Sequence, residues 1–180
     1  MSEIKNYDTV IIGGGIGGLM AAFRLRKNAP EMRIAITERG NTLEKRHCPA
    51  GKDKTCVHCK TCSITSGYAG AGAFSDGKFN LGTAYGGTLG EELGDDTANL
   101  YIDEVDKILN QYCTSGIPKV YRSNEELKLK CLQNNLRLLD MNVKHLGTDN
   151  NYLTMQNLIN AIAESGTDLF AFYDLSLIHI

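Results

Sequence analysis

Val10-Ile11-Ile12 opens the first clear pattern in the chain, three apolar β-branched positions followed by glycine. Such a run predicts a short buried strand. Gly13-Gly14-Gly15-Ile16-Gly17-Gly18 comes next. Beyond it, Leu19 to Arg26 consists of helix formers, with Leu19, Ala22, Phe23 and Leu25 spaced to face a sheet. Pro30 predicts the helix stop. Arg33 to Thr37 predicts a second strand, which delivers Glu38. The pattern is strand, helix, strand, with a glycine turn after the first strand.

From Glu38 to about Leu89 the helical period disappears, and glycine, cysteine and turn formers dominate. Ile64, Tyr68, Phe74, Phe79, Leu81 and Tyr85 supply too much apolar surface for a disordered segment. Past Gly94 the period returns. Asp95 or Asp96 caps a helix through Cys113, with Leu100, Val105, Ile108, Leu109 and Tyr112 as its buried stripe. Ser123-Asn124-Glu125-Glu126 has capping-box form and predicts a helix to about Leu139, with Leu127, Cys131, Leu132 and Leu138 facing inward. Val143 to Gly147 reads as a short strand, Thr154 to Glu164 as a helix ended by Gly166, and Leu169 to Tyr173 as a strand joining the first sheet. Asp103, Glu104 and Asp106 read as a solvated face. Cys113 and Cys131 read as small packing residues.

The fold class is therefore α/β: a Rossmann-like βαβ domain with a Gly/Cys-rich excursion and an inserted helical segment. Its expected boundaries are 1–40 for the βαβ unit, 41–89 for the excursion and 90–174 for the helical segment and returning strands, all within one domain of 1–174.

Composition narrows the partners. The chain is 42% hydrophobic and 22% charged with a net charge of −2, which gives no reason to expect nucleic acid or an anionic membrane. No apolar run approaches the ~20 residues needed to cross a bilayer. Glu3 and Asp8 stand where a secretory leader would be apolar, so the cytoplasm is the default expectation.

Candidate chemistry starts at the glycine loop. Gly13 permits a tight turn, Gly15 leaves room for a pyrophosphate, and Gly18 lets the helix pack closely on the strand. The N–H groups at Ile16 and Gly17 then lie at the positive end of the helix. Glu38 sits where a carboxylate can accept hydrogen bonds from both hydroxyls of a ribose and repel a ribose phosphate. An NAD-type fold would proceed to its next helix within a few residues of Glu38; the fifty-residue excursion favours FAD over NAD. Ser66 to Lys78 alternates small residues, with Gly70, Ala71, Gly72, Ser75, Asp76 and Gly77 as a second wall for the cofactor.

Cys48, Cys56, Cys59 and Cys62 form a separate signal. CxxCxxC spacing can aim successive thiolates at one metal, with zinc and an iron–sulfur cluster both open. Lys52, Lys54 and Lys60 nearby favour thiolates. A reversible disulfide and inert packing are the alternatives.

The glycine loop, Arg46-His47-Cys48-Pro49, the cysteine triplet and Gly70-Ala71-Gly72-Ala73-Phe74-Ser75-Asp76-Gly77-Lys78 together resemble the family of uncharacterised FAD-dependent dehydrogenases, within the glutathione-reductase-like flavoproteins. The resemblance runs from about Tyr7 to at least Gly166. It implies FAD held by Gly13, Gly15, Gly18 and Glu38, with Arg39, Arg46 and the Gly70–Gly77 loop nearby. The activity implied is a dehydrogenase in which hydride passes from a substrate to flavin N5. No catalytic residue, substrate or electron acceptor follows from it. The alternatives are an NAD-dependent dehydrogenase, or a non-catalytic metal-binding or electron-transfer module built on the cysteines.

The last six residues, Leu175-Ser176-Leu177-Ile178-His179-Ile180, read as the translation of a transposon-end sequencing adapter. The expectation is a native sequence to about Asp174, residues 175–180 as non-native read-through, and an N-terminal fragment, truncated at its C-terminus and not active alone.

Overall fold

The structure, a computed structural model, describes residues 5–51 and 55–175. Lys52, Lys54 and the adapter-like residues 176–180 lie outside that range. The chain divides into two compact units, one of residues 1–74 with 155–180 and one of residues 75–154.

The first unit is built on a parallel sheet. Strand β1 (Thr9–Ile12) leads through helix α1 (Ile16–Asn28) to strand β2 (Ile34–Glu38). β1 pairs with β2 in the register Thr9 with Ile34 to Ile12 with Thr37. On the other side of β2 lies the last strand of the chain, Asp168–Ala171, also parallel, with Ala35 opposite Asp168 and Glu38 opposite Ala171. The late strand joins the first sheet, as its apolar run predicts. Leu19 and Ala22 of α1 and Ile34, Ala35 and Ile36 of β2 are fully buried, so β2 is the centre of this core.

β1 is not the buried strand its sequence predicts. Val10 is 50% exposed and Ile12 65%, because among the described residues β1 is paired along one edge only and alternate side chains turn outward.

The second unit holds an antiparallel sheet. Strand β3 (Lys78–Leu81) is followed by helices α2 (Leu89–Leu93) and α3 (Asp95–Gln111), then by strand β4 (Val120–Tyr121), helix α4 (Glu125–Gln133) and strand β5 (Asn142–His145). β5 lies between β3 and β4. Helix α5 (Thr148–Glu164) then begins in this unit and ends in the first, and strand β6 (Asp168–Ala171) follows.

Several local expectations are corrected here. β3 and α2 lie in the stretch expected to be irregular or just beyond it. α5 begins six residues before Thr154, where the Asn150 side chain donates to the Leu146 carbonyl (3.1 Å) and the Asn151 N–H donates to the Gly147 carbonyl (3.0 Å). α4 is capped by Asn124, whose Oδ1 accepts from the N–H of Glu126 (2.8 Å) and Leu127 (3.2 Å), and it stops at Gln133 rather than Leu139. Leu127 and Leu132 are exposed rather than inward, as is Leu100 on α3. Asp106 is not a solvated residue. Lys144 on β5, 4% exposed, donates to both of its carboxylate oxygens at 2.6 and 2.8 Å and to Asn110 Oδ1 at 3.1 Å.

Among the described residues no helix is long and apolar enough to cross a membrane.

Candidate functional site: a glycine-lined cleft at the carboxyl ends of β1 and β2

Gly13 leaves β1 with φ of 101°, in the region only glycine enters without strain, and its N–H donates to the Thr37 carbonyl (2.7 Å). Gly18 is demanded by packing, since a Cβ there would lie 2.0 Å from the Gly13 carbonyl oxygen. Gly14, which the sequence pattern does not single out, is also held closely. A Cβ at this position would lie 2.6 Å from the Tyr68 ring.

Gly15 differs from these three. The nearest atom to a Cβ there would be Gly70 Cα at 4.0 Å, so nothing in the chain requires glycine. Yet Gly15 lines a cleft of about 480 Å³ together with Gly13, Glu38, Arg39, Gly67 and Gly70. Ile16 and Gly17 begin α1 at its edge, both exposed. No side chain caps α1 and no acidic residue stands in its first turn, so its initial N–H groups are left for an external acceptor.

Glu38 is 7% exposed and its carboxylate is largely used within the chain. Oε2 accepts from the Gly14 N–H (2.8 Å), and Oε1 from those of Gly40 (2.8 Å) and Gly67 (2.9 Å). Three glycine segments distant in sequence are thus tied to one acid. A carboxylate has about four acceptor positions, so one on Oε2 remains for a ligand hydroxyl.

Arg46 is 3% exposed and does not face the cleft as a ligand-binding arginine would. Its Nε donates to Ser63 O (2.9 Å), one terminal nitrogen to Tyr68 O (2.7 Å) and Gly70 O (2.8 Å), and the other to Ile64 O (2.7 Å). The guanidinium also lies 4.7 Å from the Phe74 ring centroid. Burial lowers its pKa, opposed by the nearby negative charge of Glu38. Arg46 therefore shapes the wall of the cleft from behind. Arg39 is exposed on the cleft and is positioned by Ser66 Oγ, at 3.1 and 3.3 Å.

Tyr68 completes the wall. Fully buried, it donates its hydroxyl to Ile36 O (3.0 Å) and Phe170 O (3.3 Å), bridging β2 and β6. A lone aromatic among Gly67, Ala69 and Gly70 was the only available signal for it.

The predicted second wall divides. Gly70 lines the cleft, and Ala71 and Gly72 open a short 3-10 helix, Ala71–Phe74. Ser75, Asp76 and Gly77 belong to the second unit. There the Gly77 N–H donates to Ser75 Oγ (3.2 Å), and Asp76 pairs with Lys78 (2.9 Å), which lowers the Asp76 pKa.

The cysteines are not arranged as a metal site. Among the described residues no group of three or more His, Cys, Asp or Glu side chains is gathered closely enough to hold an ion. Cys48, Cys56 and Cys59 are exposed free thiols on irregular backbone, and only Cys62 is half-buried. Hydrogen bonding from Thr65 and Ile64, together with the Arg46 charge, lowers the Cys62 pKa. Cys48, Cys56, Cys59 and Cys62, the ligand set expected for zinc or an iron–sulfur cluster, are thus not seen as a gathered group among the described residues.

A parallel βαβ unit whose glycine turn and second-strand acid meet in one cleft is a Rossmann-like arrangement. Residues 11–58 match the family described as the NAD(P)-binding Rossmann-like domain. No curated protein matches the chain. Among solved structures it is similar to glycine oxidase from Bacillus cereus (13% identity over 96% of this chain and 50% of that one, TM-score 0.45). It is also similar to glycine oxidase from Geobacillus kaustophilus (16%, 92% and 46%, 0.44) and to L-amino acid deaminase from Proteus myxofaciens (15%, 96% and 39%, 0.36). This chain spans half or less of the length of each.

Proposed function

We propose that the first unit binds the ADP half of a dinucleotide cofactor, FAD in preference to NAD, as part of an FAD-dependent oxidoreductase. The observation that carries this reading is Gly15: a glycine the chain does not need for its own packing, on the floor of a cleft bounded by an uncapped helix start and an acid. A side chain there would occupy ligand space only.

The pyrophosphate would lie against Gly13 to Gly18, meeting the first N–H groups of α1. The ribose would reach the remaining acceptor of Glu38, with Arg39 at the rim. Gly67 and Gly70 supply a second wall close enough for flat contact with a ligand. When bound, the flavin supplies a hydride acceptor at N5. The residues of this chain hold and orient it. All six cysteines are free thiols, a state that a reducing compartment such as the cytoplasm maintains.

Titration of the chain with FAD and, separately, with NAD tests the proposal. FAD is expected to bind more tightly, with its visible spectrum shifted, and Gly15→Val is expected to abolish binding while the fold persists. Absence of binding to either cofactor, or tighter binding of NAD, would refute it.

A further inference from the structure

The apolar stripe of α3 does not close onto the sheet of the second unit. Phe79 and Leu81 of β3, with Ile102, Val105 and Leu109 of α3, line a cavity of about 310 Å³. Of these five side chains only Leu109 is buried; the others are half-buried. Leu89 and Tyr101, 44% and 53% exposed, also line the cavity, and every lining residue belongs to the second unit. Close-packed interiors leave few gaps of this size. Lys144 is opposite Phe79 in the β3–β5 register, so the two share a face of the sheet. That places an ion pair, rather than a further apolar side chain, between sheet and helix.

Asp106, its side chain 17% exposed, lines the cavity, and its carboxylate is not saturated. Oδ1 accepts from Lys144 Nζ (2.8 Å), and Oδ2 accepts from Lys144 Nζ (2.6 Å) and from the Asn110 amide (3.1 Å). A carboxylate has about four acceptor positions, so one on Oδ1 remains. Lys144 has no donor to spare, since its third partner is Asn110 Oδ1 (3.1 Å).

These features set the chemistry of an occupant. The walls favour an apolar ring system, to which Phe79 and Tyr101 offer ring contacts. The open acceptor position calls for one N–H or O–H. Lys144 already balances the Asp106 charge, so a cationic ligand would bring an uncompensated charge into an apolar site. An anionic ligand would meet the Asp106 carboxylate, and Lys78, the cation lining the cavity, is paired with Asp76 (2.9 Å). The volume lies at the small end of ligand pockets, which suits one or two rings and not a helix of a partner protein.

We infer that the second unit binds a small neutral aromatic molecule in this cavity, with the molecule's single N–H or O–H donated to Asp106. Indole has that chemistry, and N-methylindole has the same ring system without the donor. The inference does not rest on the cofactor reading, and its test needs no FAD.

Both compounds are titrated into the whole chain, with amide chemical shifts followed by NMR and self-association by sedimentation. Indole is expected to bind saturably and to shift residues 79–81 and 102–109. It is expected to bind about tenfold more tightly than N-methylindole, the scale of one hydrogen bond to a charged acceptor. Val105→Phe fills the cavity, and should abolish indole binding while Tm holds or rises. Ile102→Phe, three residues earlier on the same helix face, fills it from a second position and keeps the test decisive where Val105→Phe does not fold. Equal affinity for the two compounds, shifts confined to other residues, or binding that survives in a folded cavity-filling variant would overturn the inference. So would the absence of saturable binding, or a self-associated chain whose interface covers residues 79–81 and 102–109.

Discussion

Replacing Glu38 by Gln keeps the shape of the side chain and removes its charge, and the structure says what that should cost. Gln offers one acceptor oxygen. Placed at the Oε1 position, it keeps the Gly40 and Gly67 N–H groups, and its NH2 then faces the Gly14 N–H, donor against donor. The reverse orientation loses two bonds rather than one, so the first is favoured. A buried N–H left without an acceptor costs about 1–3 kcal/mol, and two bonds that fall from charge-assisted to neutral lose about 1 kcal/mol each. The expected destabilisation is about 4 kcal/mol, a large part of the 5–15 kcal/mol typical of a domain. Arg46 shifts the balance further in the same direction, because Glu38 is the negative charge that offsets its burial. Urea unfolding followed by circular dichroism at unchanged m-value measures the loss, and amide exchange should show Gly14 released more than Gly40 or Gly67. A loss under about 1 kcal/mol, or equal release of all three amides, would show that the carboxylate does not tie these segments together.

The other expectations follow from single contacts. Gly18→Ala should unfold or destabilise the chain by more than about 3 kcal/mol, because its Cβ meets a backbone oxygen, whereas Gly15→Ala should leave stability within about 1 kcal/mol and weaken cofactor binding. Thermal melts and FAD titration of the two variants check the pair. Burial and the Glu38 charge raise the Tyr68 pKa above its ordinary 10.0. Above that pH the unfolded chain releases a proton that the folded chain keeps, so stability should fall as pH rises past 10.0, by up to about 1.4 kcal/mol per unit. Tyr68→Phe should be less stable at neutral pH and show a shallower alkaline decline, which stability measured on both sides of pH 10.0 would reveal. Lys144→Met should cost about 3–5 kcal/mol by leaving the half-buried Asp106 without a countercharge, held by the Asn110 amide (3.1 Å), and adding Asp106→Leu should recover much of it, as a double-mutant cycle in urea would show.

Local signals were legible in the sequence, and long-range backbone capture was not. Gly13 and Gly18 act within one turn of chain, so their spacing is enough to assign them, and the apolar run at β6 is enough to place it in the first sheet, though not to name β2 as its neighbour. Glu38 reads as a ligand acid because nothing in its neighbourhood announces that Gly67, a distant residue, will donate to it. The family resemblance implies Arg46 near the cofactor, and nothing local says otherwise: its partners are carbonyls, which every residue has. The exposed Leu127 and Leu132 mislead in the opposite way, since helical spacing predicts a stripe and cannot say whether anything covers it. CxxCxxC spacing likewise permits a shared ligand without making the backbone between the thiols converge.

The Arg46 contacts bear on how freely the segment around them can change. The guanidinium grips Ser63, Ile64, Tyr68 and Gly70 by main-chain oxygens alone, so it is indifferent to what those residues carry as side chains. A stretch organised this way can exchange the side chains at Ser63 and Ile64 without losing its path. Its tolerance for substitution is concentrated there and withdrawn from one residue, Arg46, where a lysine could replace the charge but not the fork.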